Sequence, residues 1–335
     1  MAMTRSVRRL CDVATGRRAK GRKGERVRES AAQPVPALPT RVSAYLAPEN
    51  LEDEVAFELG EVLHRHGRLL LAEGAPRATR WAQDVWLDAR VASIESIGDA
   101  ARTLKEIQRN WVGYVHGHHR RSALLADKLP PVRIREHAFP VEVPQSPLGA
   151  YTLLDRDTLL YSPTRASPFP HGELRFVETR EPPSRAYLKL WELFTRIGVQ
   201  PAAGERCIDM GASPGGWTWV LAQLGANVYA VDKAPIASEL AEHPNVKVAQ
   251  QSAFAVDPRS VEPYDWFFSD VICEPARLLS MIQRWLEADA AKRFVCSVKF
   301  RGATDHASVA ELAAIEGAQL MHLWHNRHEL TWVRL

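Results

Sequence analysis

The sequence predicts an α/β protein in which a doubly wound, mostly parallel sheet follows a smaller α+β domain. Two observations indicate this arrangement. From Ser184 onward, short apolar runs alternate with stretches of helical spacing, which is typical of parallel sheets with helices on both faces. Between Arg41 and Val115, the patterns follow the order β-α-β-β-α-β, which suits a small α+β sandwich.

The first 30 residues are strongly basic. They hold ten lysines and arginines against three acids, whereas the whole chain of 335 residues carries a net charge of only +3. Such a run is typically disordered and can contact phosphate without sequence preference, but it serves equally well as a solubilising tail. Residues 31–39 (AAQPVPALP) have the composition of a proline-spaced linker. We assign residues 1–40 to a basic arm and linker and base no function on them.

The smaller domain is predicted over residues 41–165, where we expect an RNA-binding role. Residues 130–183 are rich in proline and are predicted as extended segments and turns that join the two domains. Strands are predicted at residues 42–46, 69–72, 81–91 and 111–115, and helices at 51–64 and 98–108.

The second domain is predicted over residues 166–335. Its last two strands, joined by a polar turn, should add an antiparallel edge to the parallel sheet. Helices are predicted at residues 186–197, 216–224, 236–242, 275–287 and 306–316. Strands are predicted at 206–209, 227–231, 246–249, 266–269, 294–300, 319–324 and 329–334.

Composition excludes several classes of protein. Hydrophobic residues make up 46% and charged residues 25%, which excludes a wholly disordered, collagen-like or coiled-coil chain. No apolar run approaches the roughly 18 residues of a membrane span, and the N-terminus lacks the apolar core of a secretory signal. Cys11, Cys207, Cys273 and Cys296 are scattered without a C-x-x-C pair, which argues against a zinc cluster or a disulfide framework. We expect a cytoplasmic protein that contacts no membrane.

A glycine-rich turn follows the first strand of the second domain. Residues 207–217 (CIDMGASPGGW) match neither G-x-G-x-x-G nor the phosphate loop G-x-x-x-x-G-K-[ST]. The helix start after the turn suits an anionic group, and the acid that ends the next strand, Asp232, can accept hydrogen bonds from ribose hydroxyls. Together they predict a site for a nucleoside with an amino-acid tail, as in S-adenosylmethionine. The candidate cofactor residues are Gly211, Ser213, Pro214, Gly215, Gly216, Trp217 and Asp232.

Four charged residues are candidates for the chemistry. Asp270 ends the fourth predicted strand and Lys299 the fifth, so both lie at the edge of the sheet where ligands bind. A lysine on a buried strand is costly unless it is used. Lys189 lies on the first helix of the domain and Glu329 opens the last strand. The set reads Lys-Asp-Lys-Glu in chain order.

These motifs resemble a known family. Residues 183–190 (PSRAYLKL), the turn at 209–217, Ser269-Asp270, Val298-Lys299 and His328-Glu329 resemble the K-D-K-E ribose 2′-O-methyltransferases of the FtsJ-like class, in particular the bacterial 23S rRNA cytidine 2′-O-methyltransferase M family. The resemblance covers residues 167–335. It implies the Rossmann-like fold of a class I S-adenosylmethionine-dependent methyltransferase, an N-terminal THUMP (ferredoxin-like) domain, and ribosomal RNA as the partner.

The resemblance also implies roles for the tetrad. Lys299 is expected to be the general base for a ribose 2′-hydroxyl, because Lys189, a bound sulfonium and burial would lower the pKa of its ammonium. Asp270 should orient Lys299 and reach the amino group of the cofactor, and Glu329 should hold the lysines or the ribose. No metal is required. The sequence departs from the family at two positions. Ser252 stands where an acid near the adenine is usual; it could still accept a hydrogen bond and is a further candidate cofactor residue, as is Asp270. Ala186 stands where serine is frequent.

Other interpretations remain open. Within the same class, the target could be another RNA 2′-hydroxyl, such as a 23S uridine or a tRNA ribose. A non-catalytic RNA-binding protein would keep the fold without turnover, and a nicotinamide-dependent dehydrogenase would need G-x-G-x-x-G, which is absent. We expect no DNA partner, and the sequence does not indicate an oligomeric state.

Weaker candidate sites are interpreted as structural. The spacing of three histidines would suit zinc on a helix, but their region is predicted as strand, turn and strand. A basic loop could touch phosphate but is more typical of a solvated loop, and two tryptophans are expected to pack in the core. The three sets are His322, His325 and His328; His116, His118, His119, Arg120 and Arg121; and Trp217 and Trp219.

Overall fold

The structure is a computed structural model that describes residues 38–39 and 41–335, so the predicted basic arm lies almost wholly outside the described residues. Residues 38–39 and 41–335 belong to one unit. Two sheets lie within it. The boundary predicted at residue 165 falls between the last strand of the first sheet and the first helix beside the second.

The first sheet is built from residues 41–162. Its strands are β1 Arg41–Leu46, β2 His64–His66, β3 Leu69–Ala72, β4 Asp84–Ser93, β5 Trp111–Gly113, β6 Gly149–Leu153 and β7 Thr158–Ser162. Their order is β2-β3-β1-β4-β7-β6-β5, and β5 pairs with β6 in parallel whereas the other pairs are antiparallel. The accompanying helices are α1 Glu52–Leu59, α2 Ile97–Ile107 and α3 His119–Ala126.

Three predictions for this region were wrong. The helix predicted over residues 51–64 ends at Leu59, because Gly60 takes a positive φ of 72° and residues 64–66 pair with β3. Residues 130–183 are not only a linker, since β6 and β7 extend the first sheet. The basic stretch interpreted as a loop is partly helical. Helix α3 begins at His119 and buries Leu125 in an apolar cluster that also contains Leu104 of α2.

The second sheet confirms the predicted doubly wound α/β fold. Its order is β10-β9-β8-β11-β12-β14-β13. β14 is antiparallel to both of its neighbours, which confirms the antiparallel edge. The strands are β8 Arg206–Met210, β9 Asn227–Asp232, β10 Val246–Gln250, β11 Tyr264–Ser269, β12 Ala291–Lys299, β13 Ala318–Met321 and β14 Glu329–Arg334. The helices are α4 Tyr187–Ile197, α5 Gly216–Gln223, α6 Ser238–Ala241, α7 Pro275–Glu287 and α8 His306–Ala314.

The interface between the two sheets is apolar. One cluster of buried side chains includes Tyr45, Val55 and Trp81 from the first half together with Phe300 and Leu330 from the second. The rings of Trp81 and Phe300 lie 5.7 Å apart. Burial of this shared core fixes the first half beside the ends of β12 and β14. Any cleft between the halves at this end is therefore preformed.

A membrane-spanning helix is not found in residues 38–39 and 41–335: none there is both long and apolar enough to cross a bilayer.

Candidate active site

The sheet brings three of the four candidate residues together by its register. Asp270 directly follows β11, and β11 runs parallel to β12, which ends at Lys299. Glu329, the first residue of the antiparallel strand β14, pairs directly with Lys299. Because parallel strands end at one edge, and β14 begins where its neighbour ends, these three side chains meet at the same place.

The fourth residue reaches this place from a helix. Lys189 lies in the first turn of α4, and its Nζ is 3.1 Å from Oδ1 of Asp270 and 2.7 Å from Oε1 of Glu329. Lys299 Nζ is 3.0 Å from the same oxygen of Asp270 and also donates to the main-chain oxygen of that residue. The structure thus brings together all four predicted residues. Their side chains are 9–18% exposed, so water screens their charges only in part.

Burial and the neighbouring charges shift the pKa values of Lys189 and Asp270. Burial alone would lower the pKa of Lys189, but the carboxylates of Asp270 and Glu329 outweigh it, so the pKa of Lys189 is raised. Burial opposes ionisation of Asp270, and the neighbouring charges of Lys189 and Lys299 overcome it, so the pKa of Asp270 is lowered. Lys189 therefore stays a cation, and Asp270 an anion, at neutral pH. A lysine held as a cation is a poor proton acceptor.

The glycine-rich turn lies against the loop that carries Asp270 and against the segment that leads to Lys189. Gly211 has a φ of 82°, and a Cβ there would lie 2.7 Å from Cα of Val271, the residue after Asp270. A Cβ on Gly216 would lie 2.3 Å from Oγ of Ser184, in the segment that leads into α4. Glycine is required at both places because main chains approach closely. The turn is therefore a narrow cradle pressed against the loop that carries Asp270.

The remaining residues of the turn shape the cradle. Asp232 accepts hydrogen bonds from the main-chain N–H of Ser213 at 3.0 Å and of Ala234 at 2.9 Å. Trp217 is buried, as predicted, and its indole N–H donates to the main-chain oxygen of Ala186 at 3.0 Å. The bond from Trp217 fixes α5 to the start of α4, and hence to Lys189. Gly215 has a φ of 117°, and Pro214 precedes it.

Ser252 lies at the same edge of the sheet as Asp232. Gln250, two residues before it, pairs with Asp232 across β10 and β9. Phe254 follows it, and the guanidinium of Arg277 lies 3.7 Å from the ring centroid of that residue. Ser252 thus follows the end of β10, the strand next to the one that ends at Asp232.

Sequence reasoning missed two buried carboxyl groups. Burial raises the pKa of Asp209 to about 7, and only one of its oxygens has a partner in the described part of the chain, the hydroxyl of Thr218 at 2.7 Å. Glu192 is fully buried on α4, three residues after Lys189. The available signal was the same in both cases: an acid in an otherwise apolar strand or helix face, which is rare unless the acid is bonded.

The three spaced histidines do not converge. His322 contacts the main-chain oxygen of Arg327, His325 donates to Glu192, and His328 contacts the hydroxyl of Thr304. In residues 38–39 and 41–335, no group of three or more His, Cys, Asp or Glu side chains is placed to hold a metal ion. These histidines fix the segment between β13 and β14.

A cleft of 1410 Å³ lies beside the cluster, between the two halves of the chain. His328, which precedes Glu329, lines it. Its lining is mixed in charge. The acidic side chains include Glu52 and Asp53 of α1, and the cationic and aromatic side chains, which come from both halves of the chain, include Arg68, Tyr114, His116, Trp324 and Arg327.

The second half of the chain matches a known family model. Residues 182–311 match the model of the FtsJ-like methyltransferase family. This is the class that the sequence motifs resemble, so the resemblance is confirmed.

Several curated relatives share one name, Ribosomal RNA large subunit methyltransferase M. The protein from Halorhodospira halophila is 33% identical over 49% of this chain and 50% of its own length, and that from Laribacter hongkongensis is 34% identical over 50% and 52%. The chain thus spans about half the length of these relatives. The protein from a Marinomonas species is 27% identical over 80% of this chain and 76% of its own length.

Among solved structures, a ribosomal RNA methyltransferase from Plasmodium falciparum overlaps 45% of this chain and 96% of its own. It is 18% identical with a TM-score of 0.35, an overlap too small to carry an argument.

Proposed function

We propose that this chain is an S-adenosylmethionine-dependent methyltransferase that modifies a ribose 2′-hydroxyl of ribosomal RNA, with a cytidine of 23S rRNA as the target. One observation carries the proposal: Lys189 and Lys299 meet on one carboxylate oxygen of Asp270, beside the glycine cradle. The FtsJ-like match and the relatives' shared name support the same activity. RNA is then the macromolecular partner, and the cytoplasm the place of action.

The cradle suits the cofactor by its own geometry. Glycine at positions 211 and 216 lets the turn lie close against Val271 and Ser184, which holds the turn beside the loop that carries Asp270. The free N–H groups at the start of α5 favour its carboxylate, and Asp232 has acceptor lone pairs left for a ribose. S-adenosylmethionine, when bound, supplies an electrophilic methyl group on a sulfonium.

The tetrad then handles the proton. We assign Lys299 as the base, because the carboxylates around Lys189 keep that residue protonated. Neutral Lys299 Nζ takes the proton of the 2′-hydroxyl as the oxygen bonds to the methyl carbon and the carbon–sulfur bond breaks. Asp270 holds the Nζ atoms of both lysines in place, and Glu329 orients Lys189. Alignment of the oxygen with the methyl group supplies part of the rate, because positioning alone can contribute about 7–11 kcal/mol.

The cleft beside Glu329 is the proposed path of the RNA. Among the residues that line the cleft, Arg68 offers a cation, and Tyr114 and Trp324 offer stacking surfaces, the two features that bind single-stranded RNA.

The proposal is tested by mapping 2′-O-methyl groups in total RNA from cells with and without this gene. We expect a single mark to disappear from 23S rRNA, at a cytidine, and to return when the wild-type gene is restored but not the Lys299→Ala variant. An unchanged map in both ribosomal and transfer RNA would contradict the activity, and a lost mark in another RNA would correct the substrate.

A further inference from the structure

The buried carboxylate of Glu192 connects the helix that carries Lys189 to the segment that precedes Glu329. Glu192 lies on α4 three residues after Lys189, on the same side of the helix and one turn farther along. It is fully buried, although a charged side chain is costly to bury without partners. Hydrogen-bond donors from two parts of the structure offset the cost of burying this carboxylate.

The first of these parts is its own helix. Arg196, one turn after Glu192, donates to Oε1 at 2.8 Å from Nε, and its Nη2 lies 2.7 Å from the same oxygen. Arg196 also donates to the main-chain oxygen of Gly172. This pair neutralises the carboxylate but does not reach the tetrad.

The second part is the segment that leads into β14. The main-chain N–H of Trp324 donates to Oε1 of Glu192 at 2.8 Å, and that of His325 to Oε2 at 3.0 Å. The imidazole Nδ1 of His325 donates to Oε2 at 2.7 Å. Three hydrogen bonds thus join α4 to a segment that has no regular secondary structure of its own.

The segment that contains Trp324 and His325 also positions Glu329. Asn326, one residue after His325, donates from Nδ2 to the main-chain oxygen of Glu329 at 3.3 Å and to the hydroxyl of Thr331 at 3.1 Å. The carboxylate of Glu329 then meets Lys189, on the helix from which Glu192 projects. The contacts therefore run from Glu192 on α4 through residues 324–329 and return to Lys189 on the same helix.

We infer that Glu192 is a positioning residue for methyl transfer: by holding residues 324 and 325 against α4, it sets the distance between Lys189 and Glu329. This inference rests on the proposed function and adds a residue to it. Burial of the ionised carboxylate makes the connection rigid, because each oxygen is held by several donors at once. Glu192 itself touches neither substrate nor cofactor.

The inference predicts a specific kinetic effect. Glu192→Gln keeps the size of the side chain but replaces one carboxylate oxygen by an NH2 donor, which then faces either the N–H of Trp324 at the Oε1 position or the N–H of His325 at the Oε2 position. Glu329 then loses its fixed distance to Lys189. We expect kcat to fall by about 10²-fold, the loss typical of a small displacement in a catalytic site. The dissociation constant for S-adenosylmethionine should not change, because the cradle is built by other residues.

The experiment compares kcat, cofactor affinity and the pH–rate profile of the full chain, with 23S rRNA extracted from cells that lack the gene as substrate. Asp84→Asn is the matched control: Asp84 is a fully buried acid bonded to Arg165 and Ser167 in the first half. It should lower the unfolding temperature while kcat per cofactor-binding molecule and the pH profile stay as in the wild type.

A double-mutant cycle with Glu329→Gln separates positioning from general destabilisation. If Glu192 acts through Glu329, Glu192→Gln should cost much less in the Glu329→Gln background than in the wild type. Equal costs in both backgrounds, or an unchanged kcat per cofactor-binding molecule, would overturn the inference. Where Glu192→Gln does not fold, His325→Ala removes a single donor of the same connection and is judged by the same cycle. Absence of methylation by the wild type would instead reject the proposed function.

Discussion

The ammonium groups of Lys189 and Lys299 contact the same atom, Oδ1 of Asp270, at 3.1 and 3.0 Å. The two lysines come from positions 110 residues apart in the chain, one from a helix and one from a strand end. The two lysines differ in their other contacts, since Lys189 has Glu329 as a second carboxylate. Burial alone would lower the pKa of Lys189, but these two carboxylates raise it, so this lysine stays a cation at neutral pH.

Asp232 should control cofactor affinity without affecting the fold. Asp232→Ala removes the acceptor for the N–H of Ser213 and the acceptor proposed for the ribose. We expect the dissociation constant for S-adenosylmethionine to rise at least about tenfold, the equivalent of one charged hydrogen bond. Isothermal titration calorimetry measures it.

The control for this variant is Asp265→Ala. Asp265 lies near the opposite end of the sheet, where it accepts from Lys292 and from the N–H of Arg206. Its replacement should leave cofactor affinity unchanged. Equal loss of affinity in both variants would show that Asp232 acts only through stability.

Gly211→Ala should distort the cradle, whereas Gly204→Ala should not. Both glycines have a positive φ, 82° and 84°, so both variants carry the same backbone strain of about 1–2 kcal/mol. Only at Gly211 would the new Cβ collide with another main chain, that of Val271; nothing lies within 4 Å of it at Gly204. Both proteins should unfold at lower temperature, and only Gly211→Ala should lose cofactor binding. Retained affinity in Gly211→Ala would contradict the assignment of the cradle.

The arginines that line the cleft, Arg68 and Arg327, should control RNA binding. Arg68→Ala combined with Arg327→Ala should raise KM for 23S rRNA with little change in kcat, because both side chains line the cleft but neither belongs to the tetrad. The slope of log affinity against log salt concentration should decrease by about one for each lost phosphate contact. Arg102→Ala, at an arginine 67% exposed on α2, is the control and should leave both quantities unchanged. An unchanged KM in the double variant would exclude the cleft as the RNA path.

Glu192 should make stability depend on pH in the acid range. Burial opposes its ionisation, but Arg196, His325 and the N–H of Trp324 lower its pKa from 4.5 to about 2. A lowered pKa in the folded state stabilises the protein above the unfolded value, and this contribution is lost as the pH falls through the folded value. The shift corresponds to roughly 3 kcal/mol.

Urea denaturation of the wild type and of Glu192→Gln measures this contribution. The difference between their free energies of unfolding should be largest above about pH 5 and should shrink toward about pH 2. A difference that does not vary with pH would mean that the carboxylate is not ionised in the folded state.

The second sheet could be predicted because its signals are local. Alternating apolar strands and amphipathic helices give the doubly wound order, and α7 has the predicted limits at Pro275 and Glu287. The antiparallel edge followed from two strands joined by a polar turn. Asp270 and Lys299 could be proposed because each stands at the carboxyl end of a parallel strand, where such sheets place their ligands. Lys189 and Glu329 joined them through the resemblance to the K-D-K-E family.

The first sheet was harder to predict because its pairing is not local. β6 and β7 lie in a proline-rich stretch whose composition indicates a linker, and only pairing with β4 and β5 makes them strands. The contacts of Glu192 could not be predicted either, since its partners Trp324 and His325 lie more than 130 residues away. Long-range pairing decides such features, and sequence spacing does not record it.

The central claim is that Lys299 takes the proton of the 2′-hydroxyl. The most direct measurement is single-turnover methyl transfer to 23S rRNA from cells that lack the gene, with the cofactor affinity of wild type and Lys299→Ala determined in parallel. We expect Lys299→Ala to bind S-adenosylmethionine as the wild type does, while the rate constant of transfer falls by at least about 10²-fold, the lower bound for loss of a general base. A wild-type rate constant in Lys299→Ala would contradict the assignment.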